Sequence, residues 1–367
     1  MRMNTISKDI VEGVVTVTIE ADRSEFEEAL KRAYEFESDE YIVGDWKEGM
    51  APREELEKAY GSTVLYKEAA SLLIDELFGR FCAEEHLTPA DVPNAEKVSY
   101  GGGTLTFTVT APVIPAVKLG KYRGIEICGA VKDADEAILD AAAANMDAVL
   151  PRVLAERKLD AMLAEEKMRV NADPIYNVLA DFTYILDKTY KATGIGRSVA
   201  QVKSDALDIM LTTLSGDRKE VSREFFFEEL KKAARSYRDI PDDFDKKLDA
   251  IVAERAAKKA EMTGDERIDE VFDAYLGSVD MTQEMWRSAN ACKAERLARR
   301  DVMLDAVAEA EGLSADAAEI TEAAERLGKS CGMNGASFIE AVGEEMLIWR
   351  IKREKAEKLV LESAIIK

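Results

Sequence analysis

Residues 104–111, Thr-Leu-Thr-Phe-Thr-Val-Thr-Ala, alternate strictly between apolar side chains and threonine. A period of two puts every second side chain on one face, so this stretch is a half-buried strand of a sheet with one wet face. Residues 14–19, Val-Val-Thr-Val-Thr-Ile, repeat the pattern. Between them Phe26, Leu30, Ala33 and Tyr34 recur at helical spacing after Asp22 or Ser24 as cap, through about residue 40. Pro52 opens a short helix over 53–60, and Gly61 stops it. Ser62 or Thr63 then caps a helix that buries Leu65, Ala69, Leu72, Leu73, Leu77 and Phe81 and ends at His86. The polar segment 87–98, with Pro89 and Pro93, reads as a connector, and Gly101-Gly102-Gly103 as a tight turn.

Strand patterns vanish from Asp133 onward, where Ala, Leu, Glu and Lys dominate. Breaks near Pro151, Asp173-Pro174, Gly194-Ile195-Gly196, Ser215-Gly216, Pro241, Gly264, Gly277, Gly312 and Gly332 divide this part into about nine helices, the last long and running over about 336–366. The expected fold is therefore an α+β N-terminal domain, a small antiparallel sheet with helices, followed by an elongated all-α domain. Its expected parts are residues 1–117, an extended glycine-punctuated linker at 118–132, and a helical domain at 133–367.

Composition narrows the function. A formal net charge of −22 repels polyanions and keeps a chain dispersed. No stretch approaches the roughly 18 apolar residues of a membrane span, and the start carries no secretory h-region. Cys82, Cys128, Cys292 and Cys331 fit no metal or redox spacing and read as reduced thiols of a cytoplasmic protein. With His86 as the single histidine there is no triad to assemble, and as a helix-terminal residue it suits the dipole better than catalysis. The glycine run at 101–103 is no phosphate loop. No catalytic residue, cofactor or metal is expected, nor a membrane or DNA partner.

Two groups of residues suggest binding instead. The connector Gly44-Asp45-Trp46-Lys47-Glu48-Gly49-Met50-Ala51-Pro52 holds an aromatic, a cation and a helix-starting proline. Trp46 is either a lid on the local core or an exposed contact. Apolar side chains on the later helices, Phe225, Phe226 and Phe227, Met285, Trp286, Met303, Met346 and Trp349, belong either to the core or to a polypeptide-binding surface.

The order of elements around this connector resembles trigger factor, the ribosome-associated folding chaperone of bacteria. The family's Gly-Phe-Arg-x-Gly-x-x-Pro motif is matched by Asp45 through Pro52, with Trp46 for the aromatic and Lys47 for the arginine. Leu56 through Tyr66, Val117 through Glu126, Ile240-Pro241 and Arg299 through Leu313 are similar to further family text. The resemblance implies a ribosome-docking loop at Trp46, Lys47, Glu48, Gly49 and Pro52. It also implies helical arms that hold unfolded or nascent chains without ATP. Residues 159–174 and 228–245 both look like the helix pair that leads into those arms. Lysine offers a point charge where arginine offers a fork, and residues 1–123 hold 14 Lys and Arg against 23 Asp and Glu, so docking on ribosomal RNA should be weakened. Residues 131–240 lack alternating strands, so the family's prolyl isomerase domain, and its activity, should be absent. Two further functions stand beside a cytoplasmic holdase: an assembly factor for one dedicated partner, and a prolyl isomerase.

Overall fold

The structure is a computed structural model, and it describes residues 4–127, 133–193, 205 and 242–366. Strands β1 (Asn4–Val11) and β2 (Val14–Ala21) form a hairpin, and β2 pairs antiparallel with β5 (Thr104–Ile114) along its whole length. The sheet order is β1-β2-β5-β3, with β4 (Asn94–Gly101) also on β5 and β3 at Thr88–Pro89. Alternation decides the faces. Val15, Val17 and Ile19 of β2 and Leu105, Phe107 and Val109 of β5 are fully buried. On the other face Thr18 and Thr108 share a hydroxyl contact at 3.0 Å.

Helices α1 (Arg23–Glu37) and α3 (Tyr66–Glu84) cover the apolar face. The side chain of Asp22 accepts from the Glu25 amide while Glu25 accepts from the Asp22 amide, a capping box worth roughly 1 kcal/mol. Burying Phe26, Leu30, Leu73, Leu77 and Phe81 against the sheet supplies about 1.5–3 kcal/mol each.

Three expectations needed correction. The segment 87–98 is not merely a connector, because it contributes β3 and much of β4. Almost every residue of β4 is exposed, so there is no inside–outside alternation to see, and its register breaks between Glu96 and Ser99. Helix α3 is capped at Leu65 with no side-chain hydrogen bond, since residues 61–64 form turns and not a cap. The last helix is two, α11 (Gly335–Val342) and α12 (Glu344–Glu362), separated at Gly343, whose φ of 84° no helix accommodates.

By internal contacts the chain divides into two compact units, Met1–Glu156 with Glu295–Lys367, and Arg157–Ala294. In the first, the segment expected as a linker is extended but packed. Ile125 and Ile127 are buried with Ile138, Leu139, Met303 and Val307. A two-residue strand β6 (Glu126–Ile127) runs parallel to β7 (Ile365–Ile366). Tyr122 and Arg123 donate to the Glu311 carboxylate at 2.7 and 3.0 Å. Arg299 of α9 (Gln283–Ala310) donates to the carbonyls of Ala143, Met146 and Ala148, just beyond and at the end of α4 (Ala134–Ala144). Helix α10 (Ala317–Ser330) packs Ile320, Ala323 and Ala324 on Leu347 and Ile351 of α12.

The second unit is built from α5 (Arg152–Ala172), α6 (Pro174–Thr193), α7 (Phe244–Glu261), α8 (Gly264–Ser278) and the start of α9. Leu179, Phe182, Ile185, Leu248, Phe272 and Trp286 lie in its core. From Ala134 to Glu362 every described element is a helix. None of the described helices is long and apolar enough to cross a membrane.

Candidate functional site

The connector between α1 and α2 (Arg53–Tyr60) is a tied loop. Val43 and Ala51 are buried in the core of the sheet and helices, and they plug the place that a lid would fill. The Tyr34 hydroxyl donates to the Ala51 carbonyl at 2.5 Å, and the Tyr60 hydroxyl donates to the Ile42 carbonyl at 2.8 Å. Tyr41 and Tyr60 meet edge to face at 5.1 Å. Two tight turns lie between these anchors: the Trp46 amide donates to Val43, and the Met50 amide to Lys47. Gly49 has φ of 73°, and a Cβ there would sit 1.7 Å from Oδ1 of Asp39, so the chain passes directly under that carboxylate. Pro52 is the N-cap of α2.

Anchored in this way, the loop holds Trp46 at 49% exposure and Met50 at 68%. Trp46 is therefore an outward residue and not a core lid. Lys47 and Glu48 are exposed beside it. Two neighbours escaped sequence reasoning: Phe36 at 70% exposure and Ile42 at 74%. Phe36 does carry a signal, since it falls off the stripe of Phe26, Leu30 and Ala33 that α1 buries. Ile42 carries none, because a lone apolar residue in a loop is as often a plug, as Val43 beside it is.

A second feature belongs wholly to the first unit. A cleft of about 1020 Å³ opens between the end of α3 with residues 114–117 on one side, and α9 with α12 on the other. Leu87, Ile114, Val117, Val302, Leu313 and Trp349 give it apolar walls, and Asp305, Glu309, Lys352 and His86 stand among them. His86 sits at φ of 55° where α3 ends, and the Leu87 amide closes the turn on the Cys82 carbonyl at 2.8 Å. Trp349 is held by Arg353, whose guanidinium stacks 3.9 Å from the ring centroid and pairs with Asp301 and Asp305.

The remaining apolar candidates are scattered. Met346 and Trp349 are exposed on α12, and Met285 is exposed on α9. Trp286 and Met303 are corrected to core positions: Trp286 packs edge to face on Phe272, and Met303 is fully buried. Trp286 lies in the core of the second unit and Met303 in a core of the first, on stretches of α9 that pack against different helices. Phe225, Phe226 and Phe227 lie outside the described residues. Among the described residues no cluster of His, Cys, Asp or Glu could hold a metal.

The family model of the bacterial trigger factor protein (TF) matches residues 3–146, and that of its C-terminus matches residues 250–362. The chain belongs to the trigger factor family. It is 24% identical to a trigger factor of Clostridium botulinum over 95% of this chain and 97% of that one. Against a trigger factor of Clostridium perfringens it is 31% identical over 41% of this chain and 35% of that one. The first alignment runs over 425 positions, so that relative has residues with no counterpart among the 367 here. A solved chain from a study of substrate recognition by the trigger factor chaperone covers 99% of both chains at 14% identity and a TM-score of 0.41, too loose a likeness to bear on the arrangement. Membership of the trigger factor family carries a chaperone role.

Proposed function

We propose that this chain is an ATP-independent holdase of the cytoplasm that shelters apolar segments of unfolded or nascent polypeptides. The observation that carries the reading is the cleft of about 1020 Å³ whose walls are partly apolar and edged by Trp349. It has room for a few large side chains. At about 1.5–3 kcal/mol apiece, less the cost of ordering the client, these give weak and reversible binding. Met346, on the same helix as Trp349, extends the apolar surface. The net charge of −22 keeps loaded complexes apart.

Docking at the ribosomal exit tunnel is assigned to the 44–52 loop, with Trp46 as the anchor and Lys47, Glu48, Gly49 and Pro52 as its frame. We expect no prolyl isomerase activity. The described part of residues 131–240 is helical over 134–144, 152–172 and 174–193, and an isomerase of this family needs a twisted sheet.

The test is suppression of aggregation of a chemically denatured client at near-stoichiometric ratio. Wild-type protein should slow it, and Ala306→Trp, which places an indole in the cleft, should lose most of that effect while keeping its helical circular dichroism. Equal protection by the two proteins would remove the cleft from the mechanism. No protection by either would remove the holdase.

A further inference from the structure

One wall of the cleft includes residues 114–117, and the other includes Val302 and Glu309 of α9. A single loop, residues 145–151, is tied to the segments that carry both. On the α9 side the tie is Arg299, one turn before Val302. Its Nε donates to the Ala143 carbonyl at 3.0 Å, its Nη1 to Ala148 at 3.2 Å, and its Nη2 to Met146. Each nitrogen takes a different carbonyl, at and just beyond the C-terminal end of α4, where the helix dipole is negative. A planar fork spreads its donors in this way, and the point charge of a lysine does not. The other side has three ties. Lys118 and Asp147 exchange both backbone hydrogen bonds, at 3.2 and 3.0 Å. The Asn145 side chain donates to the Lys121 carbonyl at 2.7 Å, and a Cβ on Gly120 would sit 2.1 Å from the Asn145 carbonyl oxygen. At the turn of the β1–β2 hairpin, a Cβ on Gly13 would sit 2.8 Å from the Pro151 nitrogen, and the Gly13 carbonyl accepts from the Val113 amide at 2.7 Å. Val113 directly precedes the wall residues 114–117, and Lys118 directly follows them.

We propose that loop 145–151, gripped by Arg299, is a brace that fixes the gap of the cleft, with Arg299 as its positioning residue. For its consequence the inference rests on the reading of the cleft as the client site. A segment attached at one side only passes no position from one wall to the other. This loop is attached at both, and the seams at Gly13 and Gly120 are too tight for a methyl group, so close packing leaves the ties no slack. Neither Arg299 nor Gly120 lines the cleft, so each acts on a client through the walls alone. The result is a cleft of set width, which receives apolar side chains and does not close on them. Width matters because dispersion is short-ranged: a radial gap of about 0.5–1 Å already forfeits a quarter to a half of the well. Walls that drift apart therefore hold a client poorly even when every lining residue is present.

Pulsed electron–electron resonance across the cleft tests this. Nitroxide labels go on Glu84→Cys of α3 and Glu309→Cys of α9, both exposed positions, with Cys82, Cys128, Cys292 and Cys331 replaced by alanine. The labelled full chain with an otherwise unchanged sequence should give one narrow distance distribution. Arg299→Ala and Gly120→Ala should each make it roughly twofold broader, because each frees one end of the brace. Without labels, both should lose most of their protection of a denatured client. Arg326→Ala, which removes only the exposed pair with Glu354, is the control and should change neither readout. Helical circular dichroism matching wild type shows which variants are folded, and if Arg299→Ala does not fold, Gly120→Ala decides alone. The inference is overturned if a folded Arg299→Ala or Gly120→Ala keeps the narrow distribution, if Arg326→Ala broadens it as much, or if the distribution is already broad without them. If it broadens as expected and client protection is untouched, the brace stands and the cleft is not where clients bind.

Discussion

Among the described residues Arg255 is the largest fully buried side chain, and it carries a charge. It stands on α7 between two other helices. Its Nε donates to Asp181 of α6 at 2.8 Å, its Nη1 and Nη2 donate to the two oxygens of Glu270 of α8 at 3.0 and 2.5 Å, and the guanidinium lies 4.9 Å from the Tyr184 ring centroid. Replacement by methionine keeps much of the apolar stem and removes every one of those contacts. Breaking a buried ion pair from one side typically costs 3–5 kcal/mol, because the partner charges stay behind in a poor solvent. Here the partners are partly rescued. Asp181 and Glu270 keep about a quarter of their side-chain surface in water, Lys259 remains 2.9 Å from Asp181, and Lys258 remains 3.8 Å from Glu270. We therefore expect Arg255→Met to destabilise the second unit by about 2–3 kcal/mol, a shift of roughly 1–2 M in urea midpoint. Trp286, in the core of that unit, reports the transition once Trp46 and Trp349 are replaced by phenylalanine. The decisive comparison is with Arg255→Met carried together with Asp181→Asn and Glu270→Gln. Removing the orphaned charges should restore at least half of the loss. A single variant that costs under about 1 kcal/mol, or a triple variant less stable than the single, would refute the argument that stranded charge is the source of the damage.

Three other outcomes follow from local geometry. Gly49→Ala places a side chain at φ of 73° under the Asp39 carboxylate, so it should loosen the tip by roughly 1–2 kcal/mol, seen as faster amide exchange over residues 42–51, with Asp39→Ala relieving only the steric part. Because the Glu37 carboxyl is pushed up, its contribution to stability is present while it is protonated and lost as pH rises through the carboxylate range; Glu37→Gln should therefore raise the unfolding midpoint at pH 7 and have no effect below about pH 4. Burial pushes the Cys82 thiol up to about 11, so in native protein at neutral pH a thiol reagent should modify exposed Cys292 and Cys331 and leave Cys82 untouched, as read by mass mapping of peptides. Modification of Cys82 at a similar rate would mean that the core it lies in opens readily.

The sequence by itself determined the elements whose signal is local. Alternation in 14–19 and 104–111 specified β2 and β5, because a strand with one wet face must show a period of two. Helical spacing after Asp22 specified α1, and Pro52 and Gly61 bounded α2 to the residue. The exposed 44–52 loop was legible for the same reason: an aromatic, a cation and a glycine within a few residues need no distant partner to be noticed. Only the tertiary structure decided what depends on distant residues. β4 is exposed along nearly its whole length and shows no pattern until β5 lies beside it. The extended segment before α4 became part of a core only because α9 and the chain's last strand return to it. Methionine and tryptophan on α9 and α12 look alike in sequence, yet Met303 and Trp286 turn inward while Met346 and Trp349 turn out, a choice made by which helices pack against each face. The cleft has no sequence signature at all, since its walls come from residues 82–117 and 302–352, and the space between them exists only once those walls have been folded opposite one another.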